Sequence, residues 1–323
     1  MMDISIIVPA KSEEESIPEL SQWISRVMQT HGLSYEVIFI DDGSEDGTWD
    51  QIVKMNQSDN RFKGLRFNRN FGKSAALQTG FKAATGNVII TMDADLQDSP
   101  DEIPALYDMI IKDGFHMVSG WKKKRHDPIS KTLPSKFFNS LTRQISGIQL
   151  HDFNCGLKAY HRNVVKNISI YGEMHRYIPV VAKWAGFKKI GEKVVEHRER
   201  KYGYSKFGWG RMRGLLDLMS ITFVGKFALR PMQFFGTLGV LSFLGGSILT
   251  AEILWEKFDS VFISKMPLKR EIADQPIFYL ALVAVIVGVQ FFLTGFIAEL
   301  LARQSAAKKN YLVIESAGIV AND

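Results

Sequence analysis

Two long apolar runs near the carboxyl end constrain the fold of this chain more than any other feature. Residues 232–254 carry no charged side chain until Glu252, and residues 277–301 carry none until Glu299. At about 1.5 Å per helical residue, each run is long enough to cross the roughly 30 Å hydrocarbon core of a bilayer. Buried helices of a soluble domain are the alternative, but uncharged runs of this length are rare there. The sequence therefore predicts two transmembrane helices.

The segments that flank these runs indicate how the chain is oriented. Residues 208–231 mix arginine and lysine with large apolar residues, which predicts an amphipathic helix at the membrane surface. The segments outside the pair of runs are more basic than the loop between them, so the positive-inside rule places both chain ends in the cytosol. The first residues also lack a signal-peptide pattern. We expect a multi-pass protein of the inner (cytoplasmic) membrane, with residues 302–323 as a cytosolic tail.

Residues 1–207 alternate short β-branched runs with helical patterns. The runs include "ISIIVPA" at 4–10, "YEVIFID" at 35–41 and "NVIITMDAD" at 87–95. Strands that alternate with helices of this length predict an α/β domain with a mostly parallel, doubly wound sheet. Ligands of such sheets bind at the carboxyl ends of the strands. Four acids fall at such ends and predict a ligand site there: Asp41, Asp42, Asp93 and Asp95.

The stretch "TMDADLQDSP" at 91–100 places Asp93, Asp95 and Gln97 at alternate positions. If the chain stays extended there, the three side chains point the same way. Two or three oxygen ligands with room for water suit Mg²⁺ or Mn²⁺, which commonly completes its shell with substrate phosphates. The alternative is that the acids cap a turn. A calcium loop is excluded, because its twelfth position would be Pro104.

A glycine-rich phosphate-binding loop is missing from the expected places. "FGKS" at 71–74 resembles the end of a P-loop, but Phe67 stands where the upstream glycine is required. Lys73 then has no assigned role and is interpreted as a solvated lysine at the start of a helix. A bound nucleotide would need a metal that bridges its phosphates instead.

Four longer stretches resemble family 2 glycosyltransferases of the GT-A fold, in the same order and spacing: "SIIVPAKSEEES", "EVIFIDDGSEDGT", "RNFGKSAALQTGF" and "VIITMDADLQDSPDEIP". With "HDFNCGLKAYHR", "RKYGYSKFG" and two spans, the chain is similar to the polyprenyl-phosphate branch, which includes dolichyl-phosphate mannose synthase and bacterial undecaprenyl-phosphate glycosyltransferases. The resemblance covers residues 3–303. It implies inverting transfer from a nucleotide-sugar to a membrane polyprenyl phosphate such as undecaprenyl phosphate, and we expect the donor to be UDP-linked.

The resemblance also implies roles for particular residues. It implies that the nucleotide-sugar is bound by Pro9, Glu13, Asp42 and Asp93. It implies that Mg²⁺ or Mn²⁺ is bound by Asp93, Asp95 and Gln97. The catalytic residues that it implies are Asp95 and Asp152. The family commonly has an aromatic residue where this chain has Lys11, so base stacking is not implied there. If the resemblance is set aside, Glu13 could instead favour the start of a helix, and Asp42 could form a turn.

The acceptor phosphate requires cations. The resemblance assigns this role to seven residues: Lys122, Arg125, Lys131, Ser135, Arg200, Ser205 and Lys206. A generic contact with anionic lipids is the alternative. Asp152 acts either as a base or as an orienting group. The need for a base is modest, because a phosphate monoester is mostly dianionic at pH 7.

Two other functions remain as alternatives. A polysaccharide synthase on the same fold would carry a Q-x-x-R-W motif, and the sequence has none. A non-catalytic nucleotide-binding scaffold is disfavoured by the intact acids.

The net charge of +6 could suit nucleic acid, but the basic residues gather beside the spans, so we expect lipid and no nucleic acid as a partner. Relatives imply a homo-oligomer, such as a tetramer. The single cysteine, Cys155, excludes an intrachain disulfide and is expected to be buried.

Overall fold

The computed structural model describes residues 2–123, 139–140, 142–144, 146–198, 201–202, 231–264, 272–305 and 313–318. The chain divides into two compact units, one made of residues 1–221 with 310–323 and the other of residues 222–309. The interface helix predicted over 208–231 lies, except for residue 231, outside the described residues.

The first unit is built on a mostly parallel sheet, which confirms the predicted fold class. In the described residues its strands are β1 (Ile4–Ala10), β2 (Tyr35–Asp41), β3 (Phe62–Phe67), β4 (Val88–Thr91), β5 (Met117–Trp121), β6 (Lys158–His161), β7 (Ile190–Val194) and β8 (Val313–Ala317). Their order is β7-β5-β6-β4-β1-β2-β3-β8. Strands β6 and β8 run against the others.

Helices cover both faces of this sheet. They are α1 (Ser16–His31), α2 (Thr48–Ser58), α3 (Lys73–Ala83), α4 (Ile103–Ile111), α5 (Arg162–Asn167) and α6 (Ile178–Trp184). Successive residues of β1 point to opposite faces, so Ile6 joins the core under α1 and α4 while Ile7 joins the core under α3 and α5. Because both faces are covered, β1 and β2 are buried along nearly their whole length, and they are mostly apolar instead of alternating apolar and polar residues.

Strand β8 is a feature that the sequence analysis did not predict. The residues after the second apolar run were assigned to a tail outside the domain. In the structure, Val313–Ala317 pairs antiparallel with β3, with Gly64 opposite Ala317 and Arg66 opposite Glu315. The end of the chain therefore completes the sheet of the first unit.

The second unit contains the two predicted membrane helices, α7 (Pro231–Phe258) and α8 (Pro276–Ser305). Both are long and apolar enough to cross a bilayer. The two helices pack through glycines, because a Cβ at Gly239 would lie 2.8 Å from the carbonyl oxygen of Gly288, and a Cβ at Gly246 would lie 2.7 Å from that of Ala281. Their large aliphatic side chains are mostly exposed, as expected of residues that face lipid.

Candidate active site

The carboxyl end of β2 supplies an acid that organises a neighbouring loop. The carboxylate of Asp42 is buried and accepts hydrogen bonds from the amides of Phe71 (2.7 Å) and Gly72 (3.0 Å). Burial raises the pKa of Asp42, although these two amides partly oppose the effect. In the structure, Asp42 therefore holds the loop that leads into α3, the helix that begins at Lys73.

The carboxyl end of β4 turns sooner than the sequence analysis assumed. Strand β4 ends at Thr91, residues 94–96 form a turn, and Leu96 adopts a left-handed conformation with φ 62°. The premise that Asp93, Asp95 and Gln97 lie on one extended segment is therefore wrong. The turn reverses the chain, so the side-chain alternation of a strand no longer determines where these groups point.

Asp95 and Gln97 nevertheless stay close to each other across this turn. The amide of Gln97 donates to Asp95 Oδ1 at 3.2 Å, and the side-chain amide of Gln97 donates to the carbonyl oxygen of Arg198 at 3.4 Å. Asp95 is buried. Asp95 therefore caps this turn, which is the alternative given in the sequence analysis. The turn also leaves two oxygen-bearing side chains, those of Asp95 and Gln97, at the end of β4.

Asp93 forms an ion pair with Lys73, the first residue of α3. Its carboxylate also lies against Gly156, where a Cβ would come 2.6 Å from Asp93 Oδ2. Burial raises the pKa of Asp93, but the charges of Lys73 and Lys122 outweigh that effect and hold the pKa at about 2. The interpretation of Lys73 as a solvated lysine is therefore wrong.

Two further lysines lie close to Asp93. Lys122 forms an ion pair with the buried Asp98 at 2.8 Å, and Lys158 is buried and donates to the carbonyl oxygen of Cys155. Burial lowers the pKa of Lys122, but Asp98 outweighs this and leaves it raised. The structure thus places Lys122, one of the residues assigned to the acceptor phosphate, beside the acids that follow β4 and in an ion pair with Asp98.

Asp152 lies at the edge of the same region. It is buried, its carboxylate accepts from the amide of Asn154 at 3.0 Å, and its own amide donates to Glu192 at 3.0 Å. The neighbouring Cys155 is buried as expected, and burial raises the pKa of its thiol to about 12. The thiol is therefore protonated and packs in the core.

Pro9 and Glu13 lie at or just beyond the carboxyl end of β1. Pro9 lies within β1. The carboxylate of Glu13 accepts from the hydroxyl of Ser16 at 3.0 Å, and its amide donates to Thr48 at 2.8 Å. Glu13 therefore stands at the start of α1, as the alternative interpretation expects.

His175 is a site neighbour that the sequence analysis missed. Its Nδ1 lies 3.1 Å from Ser74 Oγ, which also accepts from the His175 amide at 2.9 Å. Burial, together with the nearby Lys73, lowers the pKa of His175 well below its usual value. Ser74 and His175 are 101 positions apart, and no local pattern indicates such a contact.

The other six residues assigned to the acceptor phosphate lie outside the described residues: Arg125, Lys131, Ser135, Arg200, Ser205 and Lys206.

The oxygen donors at the end of β4 fit a hard divalent cation. Carboxylate and amide oxygens are the ligands that Mg²⁺ and Mn²⁺ prefer, and the ammonium on Asp93 shows that this carboxylate attracts a cation. Across the described part of the chain, no group of three or more histidine, cysteine, aspartate or glutamate side chains could hold a metal ion. Mg²⁺ usually takes only one or two carboxylates from the protein and completes its shell with substrate phosphates and water.

Solved structures share this fold. Mannosyl-3-phosphoglycerate synthase from Rubrobacter xylanophilus aligns with a TM-score of 0.57 at 14% identity, covering 70% of this chain and 75% of that one. Glucosyl-3-phosphoglycerate synthase from Mycobacterium tuberculosis, solved with Mn²⁺, UDP-glucose and phosphoglyceric acid, aligns with a TM-score of 0.53 at 18% identity, covering 68% and 80%. The first unit therefore has the GT-A fold.

The sequence matches the model of glycosyl transferase family 2 over residues 5–169, and the chain belongs to that family. It is 35% identical to dodecaprenyl-phosphate galacturonate synthase of Rhizobium johnstonii over 97% of this chain and 92% of that protein. It is 30% identical to undecaprenyl-phosphate 4-deoxy-4-formamido-L-arabinose transferase of Salmonella paratyphi B, over 93% and 88%. These similarities confirm the resemblance found in the sequence.

Proposed function

We propose that the protein transfers a sugar from a nucleotide-sugar to the phosphate of a membrane polyprenyl phosphate, and that the anomeric centre is inverted. The observation that carries this proposal is the similarity to two polyprenyl-phosphate sugar transferases over more than nine-tenths of the chain. The similarity spans the membrane helices as well as the catalytic domain. A relative that shared the catalytic domain alone would support a glycosyltransferase but not a lipid acceptor.

On the donor side, Asp95 and Gln97, with Asp93, would hold Mg²⁺ or Mn²⁺. The bound metal would offset the negative charge of the departing nucleoside diphosphate. Asp42 supports the donor site indirectly, because it fixes the loop at Phe71 and Gly72 that precedes α3. Pro9 and Glu13 line the same end of the sheet, and UDP is the nucleotide that we expect.

On the acceptor side, the dianionic phosphate is already a nucleophile at neutral pH. The buried carboxylate of Asp152 accepts from a backbone amide and lies near Lys158. Burial lowers the pKa of Lys158, and the negative charge of Asp152 opposes this effect only in part. We assign Asp152 an orienting role on this ground. Lys122 and the six assigned residues outside the described ranges would bind the acceptor phosphate.

The membrane unit would keep this reaction at the headgroup layer. Strand β8 follows α8 and pairs with β3 of the catalytic domain, so the chain returns to that domain after the second span. This supports a topology with the catalytic domain and both termini on the cytosolic side. Cysteines introduced near each terminus should react with an impermeant maleimide in inside-out vesicles but not in right-side-out vesicles.

A donor screen tests the proposed reaction. Purified protein in detergent is incubated with Mn²⁺, undecaprenyl phosphate and a panel of radiolabelled nucleotide-sugars, and label is followed into the organic phase. We expect one donor to give a lipid-linked product that EDTA and Asp95→Ala both abolish. Nucleotide binding without a lipid-linked product from any donor would favour another acceptor or a non-catalytic scaffold.

A further inference from the structure

We propose that the ammonium of Lys73 occupies the metal-binding carboxylate of Asp93 until a divalent metal replaces it. Lysine and metal would compete for the same oxygen, so that the metal binds well only together with the donor. This inference rests on the proposed metal-dependent transfer. It adds a role for a residue that the motif analysis treated as solvated.

The backbone that leads into Lys73 is held in place, whereas the Lys73 ammonium is accessible to solvent. Asp42 binds the amides of Phe71 and Gly72 immediately before it. Within the described residues, the Lys73 ammonium forms an ion pair with Asp93; the Lys73 side chain is 27% exposed and that of Asp93 is 33% exposed. A ligand that arrives from solvent can therefore reach both members of this pair.

The Asp93 carboxylate is blocked on the side that faces Gly156, whereas the Lys73 ammonium can swing away from the pair. The Asp93 carboxylate lies against Gly156, which leaves no room on that side for an added Cβ. The Lys73 ammonium, by contrast, ends a flexible four-carbon side chain. If a metal binds Asp93, the lysine is the member that leaves.

The other two cations of the region are already bound elsewhere. Lys122 pairs with the fully buried Asp98 at 2.8 Å, and Lys158 donates to the carbonyl oxygen of Cys155. The Lys73 ammonium is thus the cation bound to Asp93 in this part of the described chain. A metal and an ammonium on a single carboxylate would repel each other at close range.

Before metal and donor bind, competition would leave the site in one state, with the Lys73 ammonium on the Asp93 carboxylate. Lys73 keeps the Asp93 carboxylate oriented, and it weakens binding of the metal alone. A diphosphate brings enough negative charge to accommodate the metal and the displaced ammonium together. Metal and donor would then bind cooperatively, since each lowers the electrostatic cost of the other.

Mn²⁺ binding to the full-length protein, without donor or acceptor, tests this inference. Free Mn²⁺ is counted by electron paramagnetic resonance for wild type, Lys73→Met, Lys73→Arg and Lys82→Met. Lys82 is an exposed lysine near the other end of α3 and serves as the matched control. We expect Lys73→Met to bind Mn²⁺ about tenfold more tightly. Lys73→Arg keeps the positive charge beside Asp93, and Lys82→Met removes a charge that lies away from Asp93. Both variants should therefore bind Mn²⁺ with the affinity of wild type.

A second measurement uses the unmodified protein and does not depend on how the variants fold. Lysine acylation is quantified by mass spectrometry with and without saturating Mn²⁺. Lys73 should become more reactive when Mn²⁺ is present, and Lys82 should not change. Equal or weaker Mn²⁺ binding by folded Lys73→Met than by wild type, or unchanged Lys73 reactivity at saturating Mn²⁺, would each overturn the inference. The donor screen would still report transfer to lipid independently.

Discussion

At the scale of single residues, Gly156 shows how closely the candidate active site is packed. A Cβ there would lie 2.6 Å from Asp93 Oδ2, which is closer than real Cβ contacts allow. We expect Gly156→Ala to displace the Asp93 carboxylate. A displacement of about 1 Å at a reacting site costs up to roughly a hundredfold in rate.

Initial rates of transfer at saturating donor and acceptor measure this effect, and thermal unfolding checks that the variant is folded. We predict a loss of between about tenfold and a hundredfold in kcat. A folded Gly156→Ala variant with a wild-type rate would show that the position of Asp93 does not matter to catalysis.

The site residues show where a sequence pattern stops being informative. The acids were located correctly at strand ends, because a β-branched run followed by Asp identifies the carboxyl end of a strand. The turn after β4 was missed, because Leu96 is a non-glycine residue in a left-handed conformation. The Lys73–Asp93 and Ser74–His175 contacts were missed because they join residues that are distant in the chain.

At the scale of elements, one buried carboxylate links β1, β2, β3 and the segment before β4. It lies near the amino end of β2, away from the candidate active site. Glu36 of β2 accepts from Ser5 of β1 at 2.5 Å, from the Thr85 amide before β4 at 2.8 Å and from Lys63 of β3 at 2.8 Å. Burial raises the pKa of Glu36, but these donors outweigh burial and leave the pKa lowered. The ionised form is therefore the one that stabilises the fold.

We predict that Glu36→Gln lowers the free energy of unfolding by about 1–3 kcal/mol at pH 7, because Lys63 then loses its charged partner. Since folding lowers the pKa of Glu36, the contribution is fully present above 4.5, the ordinary glutamate value, and is lost as pH falls through the lowered pKa of the folded state. Thermal unfolding at pH 7 and pH 4 should show a smaller difference at pH 4. The exposed Glu45→Gln is the control, and equal melting temperatures for both variants at pH 7 would contradict this account.

The membrane helices pack through particular glycines rather than through small residues in general. A Cβ at Gly246 would meet the carbonyl oxygen of Ala281 at 2.7 Å, whereas nothing lies within 4 Å of one at Gly245. We predict that Gly246→Leu destabilises the helix pair by about 1–3 kcal/mol and that Gly245→Leu does not. Denaturation in detergent followed by circular dichroism measures the difference, and identical midpoints for the two variants would rule out this packing.

Most helices and strands were predictable because their apolar periodicity is local. The pattern in α1, with Ile17, Leu20, Ile24 and Val27 buried, is of this kind. The lengths of α7 and α8 follow from their uncharged runs. Strand β8 was not predictable, since its pairing with β3 joins segments about 250 positions apart, and a short apolar run alone does not specify a partner.

At the scale of the whole molecule, β8 covers an edge of the sheet that would otherwise be exposed. An uncovered edge strand leaves unpaired backbone groups that exchange with solvent. We predict that removing residues 310–323 increases amide hydrogen exchange in β3, residues 62–67, and leaves β5, residues 117–121, unchanged. Exchange in β3 that does not respond to the truncation would contradict the pairing.

The proposed function joins both units in one reaction, in which a cytosolic domain glycosylates a lipid phosphate held in the membrane. The acceptor requirement tests this most directly. With the donor identified, label transfer and nucleoside diphosphate release are measured for undecaprenyl phosphate and for undecaprenol in the same detergent. We predict lipid-linked label and matching diphosphate release with the phosphate, and neither with the alcohol. Equal transfer to both, or diphosphate release without lipid-linked label, would contradict a reaction in which the lipid phosphate is the nucleophile.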